Sequence, residues 1–227
     1  MEIRENFANV REQIEQAKRR SPFSQTVRLV AVTKGIKSDL IHQAAREGIR
    51  EFGENRVQEA AEKIPKLPSL HWHFVGHLQT NKVEQALRLF ELIHSGDRLS
   101  LAEALDTEAE RLGKTASLLV QVNTQEDPSK FGVMPKDLLP TLEKVALRKH
   151  LRVAGLMTIA PVASNPELCR PFFRKLRSLK ESAAKEKFPN CDLSILSMGM
   201  SQDFEVAIEE GSTMVRIGTA LFGERHR

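Results

Sequence analysis

Leu29-Val-Ala-Val-Thr-Lys-Gly35 has the small and β-branched residues of a buried strand until Lys34 closes the run with an ammonium group. Side chains alternate along an extended strand, so Val30, Val32 and Lys34 share one side. A lysine held in a partly desolvated mouth gives up its proton more readily, and the neutral amine attacks carbonyls. The same residue also reads as a surface lysine that begins a loop, with Lys37 beside it.

A second group lies near the other end, in SMGMSQDFEVAIEEGSTMVRIGTALFG, residues 197–223. Ser197, Gly199, Met200 and Ser201 lead into a helical stretch, Gln202–Glu210. The free N–H groups and positive dipole at a helix start suit an anion. Arg216, Gly218 and Thr219 then offer a guanidinium, a residue allowing close backbone approach, and a hydroxyl. The plainer alternative makes Ser201 a helix cap and Gly218 a turn glycine.

Two further motifs carry polar groups. Asn55, in EFGENRVQE, either hydrogen-bonds a ligand oxygen or caps the helix that follows. In HWHFVGH, His71 and His73 share a strand face and His77 lies just beyond it. No carboxylate or cysteine completes a zinc-like set of three or four ligands there. His77, Gln79, Asn81 and Lys82 are expected instead to line a mouth or begin the next helix.

These residues need a scaffold. Strand-like runs are expected at Val27–Lys34, Glu51–Asn55, His71–Gly76, Leu92–Ser95, Ser117–Asn123, Val153–Ile159, Leu193–Met198 and Met214–Ile217. Helical patterns separate them at Ser38–Glu47, Arg56–Lys63, Thr80–Leu89, Ser100–Leu112, Lys136–Lys149, Glu167–Lys187 and Gln202–Glu210. Before the first strand, Ile3, Phe7, Val10 and Ile14 form the stripe of an extra N-terminal helix. Strict alternation argues for a parallel sheet, and eight units argue for a closed α/β structure, a single-domain (β/α)8 TIM barrel over residues 1–227. An open doubly wound sheet is the rival arrangement.

In such barrels the strand C-termini form the functional face, and loops after the last two strands often hold phosphate. Lys34 and the 197–219 segment both fall there. A reactive lysine opposite a phosphate site describes either a pyridoxal 5′-phosphate (PLP) protein or a phosphosugar aldolase.

Composition narrows the classes. The 227 residues carry a formal charge of +4, but their Lys and Arg are interleaved with Glu along amphipathic helices, and one Trp and no Tyr are available for base stacking. A solvated basic face fits better than a nucleic-acid surface. No run of eighteen apolar residues suggests a membrane span, and the N-terminus lacks signal-peptide features. Cys169 and Cys191 are too few and too far apart for a disulfide framework, which makes a reduced, cytoplasmic protein the expectation.

The motifs AVTKG, FGENRVQE, WHFVGHLQTNK, GLMTIAP and SMGMSQDFEVAIEEGSTMVRIGTALFG together resemble, in order, those of the pyridoxal phosphate homeostasis proteins. They run from about Leu29 to Gly223. The resemblance implies a barrel like the N-terminal domain of alanine racemase, the type III fold of PLP enzymes, with Lys34 as the Schiff-base lysine. It also implies that the Ser197–Ser201 loop (Ser197, Gly199, Met200, Ser201) and Arg216, Gly218 and Thr219 hold the phosphate, with Asn55 near the ring. Arg216 is expected to touch either phosphate or ring.

The family resemblance further implies a non-catalytic role in vitamin B6 homeostasis: buffering PLP, delivering it to PLP-dependent apo-enzymes, and so affecting amino-acid and keto-acid balance. The alternative is a PLP-dependent racemase or decarboxylase. A racemase of this fold type sets a tyrosine from a second domain opposite its lysine, and this chain has no tyrosine. A bare barrel mouth also leaves little with which to exclude water. The expectation is therefore a monomeric carrier with no catalytic residue and no metal.

Overall fold

The structure, a computed structural model, describes residues 3–224. Eight parallel strands close into a barrel: β1 (Arg28–Val32), β2 (Glu51–Glu54), β3 (His71–Phe74), β4 (Leu92–Gly96), β5 (Ala116–Gln121), β6 (Leu151–Met157), β7 (Cys191–Ser197) and β8 (Met214–Ile217). Closure is made by β8 against β1, with Val30 beside Arg216. The open-sheet rival is thereby excluded. Each connection passes through helix, as parallel neighbours require. The helices are α1 (Ile3–Arg20), α2 (Ser38–Arg46), α3 (Val57–Lys63), α4 (Val83–Leu89), α5 (Leu99–Arg111), α6 (Leu138–Ala146), α7 (Arg170–Lys185), α8 (Phe204–Glu209) and α9 (Thr219–Phe222). None among the described residues is long and apolar enough to cross a membrane.

The two-residue period of the strands sorts side chains into two cores. Val30, Leu92, Leu119, Ala154, Met157 and Met214 fill the barrel interior. Ala31, Phe52, Trp72, Phe74, Ile93 and Leu118 face outward and meet the helices in a larger apolar shell. Phe52 and Trp72, on adjacent strands, pack with their rings tilted at 36° and 5.5 Å between centroids. Interior packing also sets where side chains are forbidden. At the β6–β7 register shift, a Cβ on Gly155 would stand 2.0 Å from the Ile195 carbonyl oxygen, so only glycine lets the strands close there.

The N-terminal helix packs as its stripe predicts: Val10, Ile14 and Ala17 are buried. Its polar flank is tied to the last barrel unit, by Asn6 Nδ2 to the Leu221 carbonyl at 2.9 Å and by Arg20 to Glu205 and Glu209. Element boundaries shift where local chemistry intervenes. Short 3₁₀ turns over Thr80–Lys82, Pro135–Asp137 and Pro166–Cys169 precede α4, α6 and α7. Helix α8 starts at Phe204 rather than Gln202, because Asp203 turns its carboxylate back onto the Met200 N–H at 2.6 Å.

Candidate functional site

A pocket of about 490 Å³ opens at the strand C-termini, on the side of the barrel where β8 meets β1. Val32 and Val75 form its floor, and Ile159–Ala163, from the loop after β6, make an apolar wall. The sequence-derived candidates Asn55, Met200, Ser201, Arg216, Gly218 and Thr219 all line it. Ser197, Gly199 and Lys34 do not.

Arg216 is the anchoring cation. It lies on the inward side of β8, one rung above Met214, and is buried. Its Nη1 donates to Ser197 Oγ at 2.6 Å and its Nη2 to the Thr158 carbonyl at 2.9 Å. Among the described residues no carboxylate oxygen pairs with it, although Asp203 is near enough to favour its charge. Burial lowers its pKa to about 10, against the pull of Asp203. A buried guanidinium held only by neutral oxygens is electrostatically incomplete, and an anion in the pocket would complete it.

The two glycine turns beside it have different uses. Gly199 has φ +95°, and a Cβ there would stand 2.9 Å from Phe204 Cα, so the residue lets the loop fold under α8. At the start of this helix the Met200, Asp203 and Phe204 N–H groups are taken, by the Asp203 carboxylate and the Met200 carbonyl, while those of Ser201 and Gln202 have no partner among the described residues. On the next turn, Gly218 N and Ala220 N both donate to Ser201 Oγ, each at 3.3 Å. Those are long, weak bonds, of a kind a stronger acceptor displaces. Asp203 is raised above the usual carboxylate range by burial, opposed by the Met200 N–H and Arg216. Cys169 lines the same wall, its thiol pushed up by burial and by Asp203.

Asn55 continues the inward side of β2, and its Oδ1 is buried without a hydrogen-bond partner. Gly76 brings the next strand's backbone against it, since a Cβ there would fall 2.3 Å from the Asn55 carbonyl oxygen. An orphaned acceptor lining a pocket is the mark of a ligand contact.

Lys34 follows Val30 and Val32 in parity but sits in an exposed turn at the rim, not in the partly desolvated mouth that the strand pattern predicts. The strand ends at Val32, and the Ile36 N–H returns to the Thr33 carbonyl at 2.9 Å. The backbone on both sides of the lysine is clamped from below. Lys63 Nζ donates to the Thr33 carbonyl at 2.7 Å, to Glu54 Oε1 at 2.7 Å and to Glu59 Oε1 at 2.6 Å. Gly35 N donates to Glu59 Oε1 at 2.6 Å, and Thr33 Oγ1 to Glu54 Oε1 at 2.6 Å. Burial raises Glu54, partly offset by Lys63 and Thr33. Burial also works against Glu59, but Lys63 and the Gly35 N–H outweigh it and hold that carboxyl below its usual range. Sequence reading missed this clamp. Its signals were a charge on the outward, helix-covered side of β2 and the i,i+4 spacing of Glu59 and Lys63.

The histidines of HWHFVGH separate. His71 is exposed beside Glu91, His73 points into the barrel, and His77 pairs with Asp97 at 2.8 Å while stacking on Phe131 at 4.0 Å. Among the described residues no cluster of three or more His, Cys, Asp or Glu side chains could hold a metal ion.

Comparison with known proteins identifies the family and the fold. Residues 6–226 match the family described as the alanine racemase N-terminal domain. A pyridoxal phosphate homeostasis protein of Aquifex aeolicus is 42% identical over 97% of both chains. The structure of PipY from Synechococcus elongatus with PLP bound is 38% identical, covers 97% of this chain and 100% of its own, and superposes with a TM-score of 0.85. Alanine racemase of Clostridium difficile, 14% identical, shares the fold with a TM-score of 0.73, but only 56% of its chain is covered. The chain belongs to the alanine racemase N-terminal domain family and, within it, to the pyridoxal phosphate homeostasis proteins.

Proposed function

We propose that this pocket binds pyridoxal 5′-phosphate and that the protein is a non-catalytic carrier in vitamin B6 homeostasis. The observation that carries the reading is Arg216: a buried cation with no carboxylate partner among the described residues, beside two backbone N–H groups that find only a hydroxyl. The chain's groups fit the cofactor. Ser201, Gly218, Thr219 and Ala220 N would take the phosphate, Asn55 Oδ1 would meet a polar ring substituent, and Arg216 would face the anion. Ser197 and Gly199 contribute from behind the wall, the first by holding Arg216 and the second by shaping the loop.

The cofactor would supply an aldehyde, and Lys34 the amine able to condense with it reversibly, with release of water. An exposed lysine suits exchange with other amines, which a carrier needs. Release to PLP-dependent apo-enzymes, consequent effects on amino-acid and keto-acid balance, a monomeric state and a cytoplasmic location belong to the same proposal. No tyrosine is available as a second base.

The test is an absorption spectrum of the purified protein with PLP, before and after D- or L-alanine. A visible band, fixed to the chain by borohydride and lost to alanine without change in enantiomer ratio, supports the carrier. Racemisation or decarboxylation at an enzymatic rate rejects it.

A further inference from the structure

A line of polar groups runs down the inside of the barrel from the pocket described above, and the proposed function does not use it. Arg216 Nη1 lies 2.6 Å from Ser197 Oγ, which lies 3.0 Å from His94 Nδ1. His94 Nε2 is 3.0 Å from His73 Nδ1, and His73 Nε2 is 3.5 Å from Glu51 Oε2, a buried oxygen with no hydrogen-bond partner. His73 also lines a separate pocket at the opposite, N-terminal end of the strands, with Arg28, Leu92 and Thr213.

The direction of these bonds is determined. Arginine only donates, so Ser197 Oγ accepts from Arg216. The serine proton has one remaining neighbour, His94 Nδ1, which must then accept. Both imidazoles are kept neutral by burial, His94 far below its ordinary range and His73 down to about 3. A neutral imidazole has one donor and one acceptor. His94 therefore donates through Nε2 to His73 Nδ1, and His73 through Nε2 toward Glu51. This arrangement gives the Ser197 hydroxyl proton and the His94 Nε2 proton each an acceptor, and leaves the His73 Nε2 proton facing Glu51 Oε2 at 3.5 Å.

We infer that His73, His94 and Ser197 form a one-directional hydrogen-bond relay, faced at its end by the Glu51 carboxylate, that positions Arg216 and links the cofactor pocket to the far end of the barrel. All four are positioning residues, and the consequence for the cofactor rests on the PLP reading. Glu51 terminates the relay between charged neighbours: Arg28 Nη1 stands 3.7 Å from its other oxygen, and His71 and Glu91 face it across the strand ends.

The experiment uses the full chain with ¹⁵N-labelled histidine. Long-range ¹H–¹⁵N correlations at neutral pH, without cofactor, are expected to show His73 and His94 both as neutral Nε2–H tautomers. An Nδ1–H tautomer or an imidazolium at either ring overturns the relay. Glu51→Leu removes the terminal acceptor and is expected to shift the ring signals of His94, one imidazole beyond its own contact, while leaving those of His77. Unmoved His94 signals also overturn it. With PLP added, Glu51→Leu is expected to shift the visible absorption maximum, and a Ser197→Ala background is expected to abolish that shift. A shift that persists in Ser197→Ala would mean the effect does not travel through the serine. If PLP fails to bind the wild type, the proposed function falls while the tautomers still decide the relay.

Discussion

Lys34 and Arg216 are the two cations that the proposed function uses, and the fold holds them in opposite ways. Around Lys34 the backbone is fixed and the side chain is free. Lys63, Glu54 and Glu59 grip the Thr33 carbonyl and Gly35 N–H, and the lysine itself stands exposed at the rim. Around Arg216 the side chain itself is fixed, by Ser197 and the Thr158 carbonyl inside the barrel. The clamp is ionic and lies between strand and helix, whereas the arginine is held by neutral oxygens. A covalent attachment that must be made and broken gains from a mobile arm on a rigid base. Recognition of an anion gains from a cation that is already in place, because little ordering remains to be done on binding.

The largest expected effect breaks the mobile side of this contrast. Lys34→Ala should abolish borohydride-fixed PLP entirely, read as the mass of the intact chain after reduction, since Lys34 is the amine that the proposed function assigns to the attachment. Labelling of the variant to wild-type extent would place the attachment elsewhere.

Next comes the clamp. Lys63→Met leaves Glu54 without its cation inside the protein, a change that costs about 3–5 kcal/mol in comparable buried pairs. Glu54 is raised in the folded state, so it favours folding when protonated, and that contribution is lost as pH rises through its folded value. Glu59 is lowered, so its contribution is present above the unfolded value and lost as pH falls through its folded one. Removing Lys63 strengthens the first behaviour and weakens the second. Thermal melts should therefore show the variant furthest below wild type near neutrality, with the gap closing toward the carboxylate range. A gap that is constant with pH would show the carboxylates to be uncoupled from Lys63.

Arg216→Met tests the rigid side. A charge-assisted bond is worth about 1.5–3 kcal/mol, so PLP retention should weaken roughly 10- to 100-fold by equilibrium dialysis. Lys34 should still be labelled at high PLP. Unchanged retention would remove the guanidinium from the site.

The barrel was legible because buried parallel strands are short apolar runs separated by helix-period stretches, a pattern unlike that of other classes. Their positions at the ends of those strands also put Asn55, Arg216 and Gly218 on one face, and the structure brings the three to one pocket. What sequence could not supply was contact between distant strands. His94 lies in an ordinary strand, Leu92–Gly96, and its partners come from β3 and from β7, over a hundred residues further on. Ser197 read as a loop hydroxyl for phosphate because its Arg216 partner comes from the neighbouring strand β8. The start of α8 was misplaced for a local reason, the Asp203 carboxylate competing for backbone N–H groups.

Ser201 gives the smallest effect and the finest test of the contrast. Its hydroxyl already collects the Gly218 and Ala220 N–H groups at 3.3 Å, so it is part of the pocket's own hydrogen bonding before any ligand arrives. Ser201→Ala removes a donor to the ligand, but it also frees two N–H groups to meet the phosphate directly. The net loss should be that of one neutral hydrogen bond at most, about 0.5–1.5 kcal/mol, or roughly two- to ten-fold in retention. Measured beside Arg216→Met by the same dialysis, the serine variant should always retain more cofactor. The reverse order would make the turn after β8, rather than the locked arginine, the principal anion site, and would move the rigid half of the comparison from a side chain to the backbone.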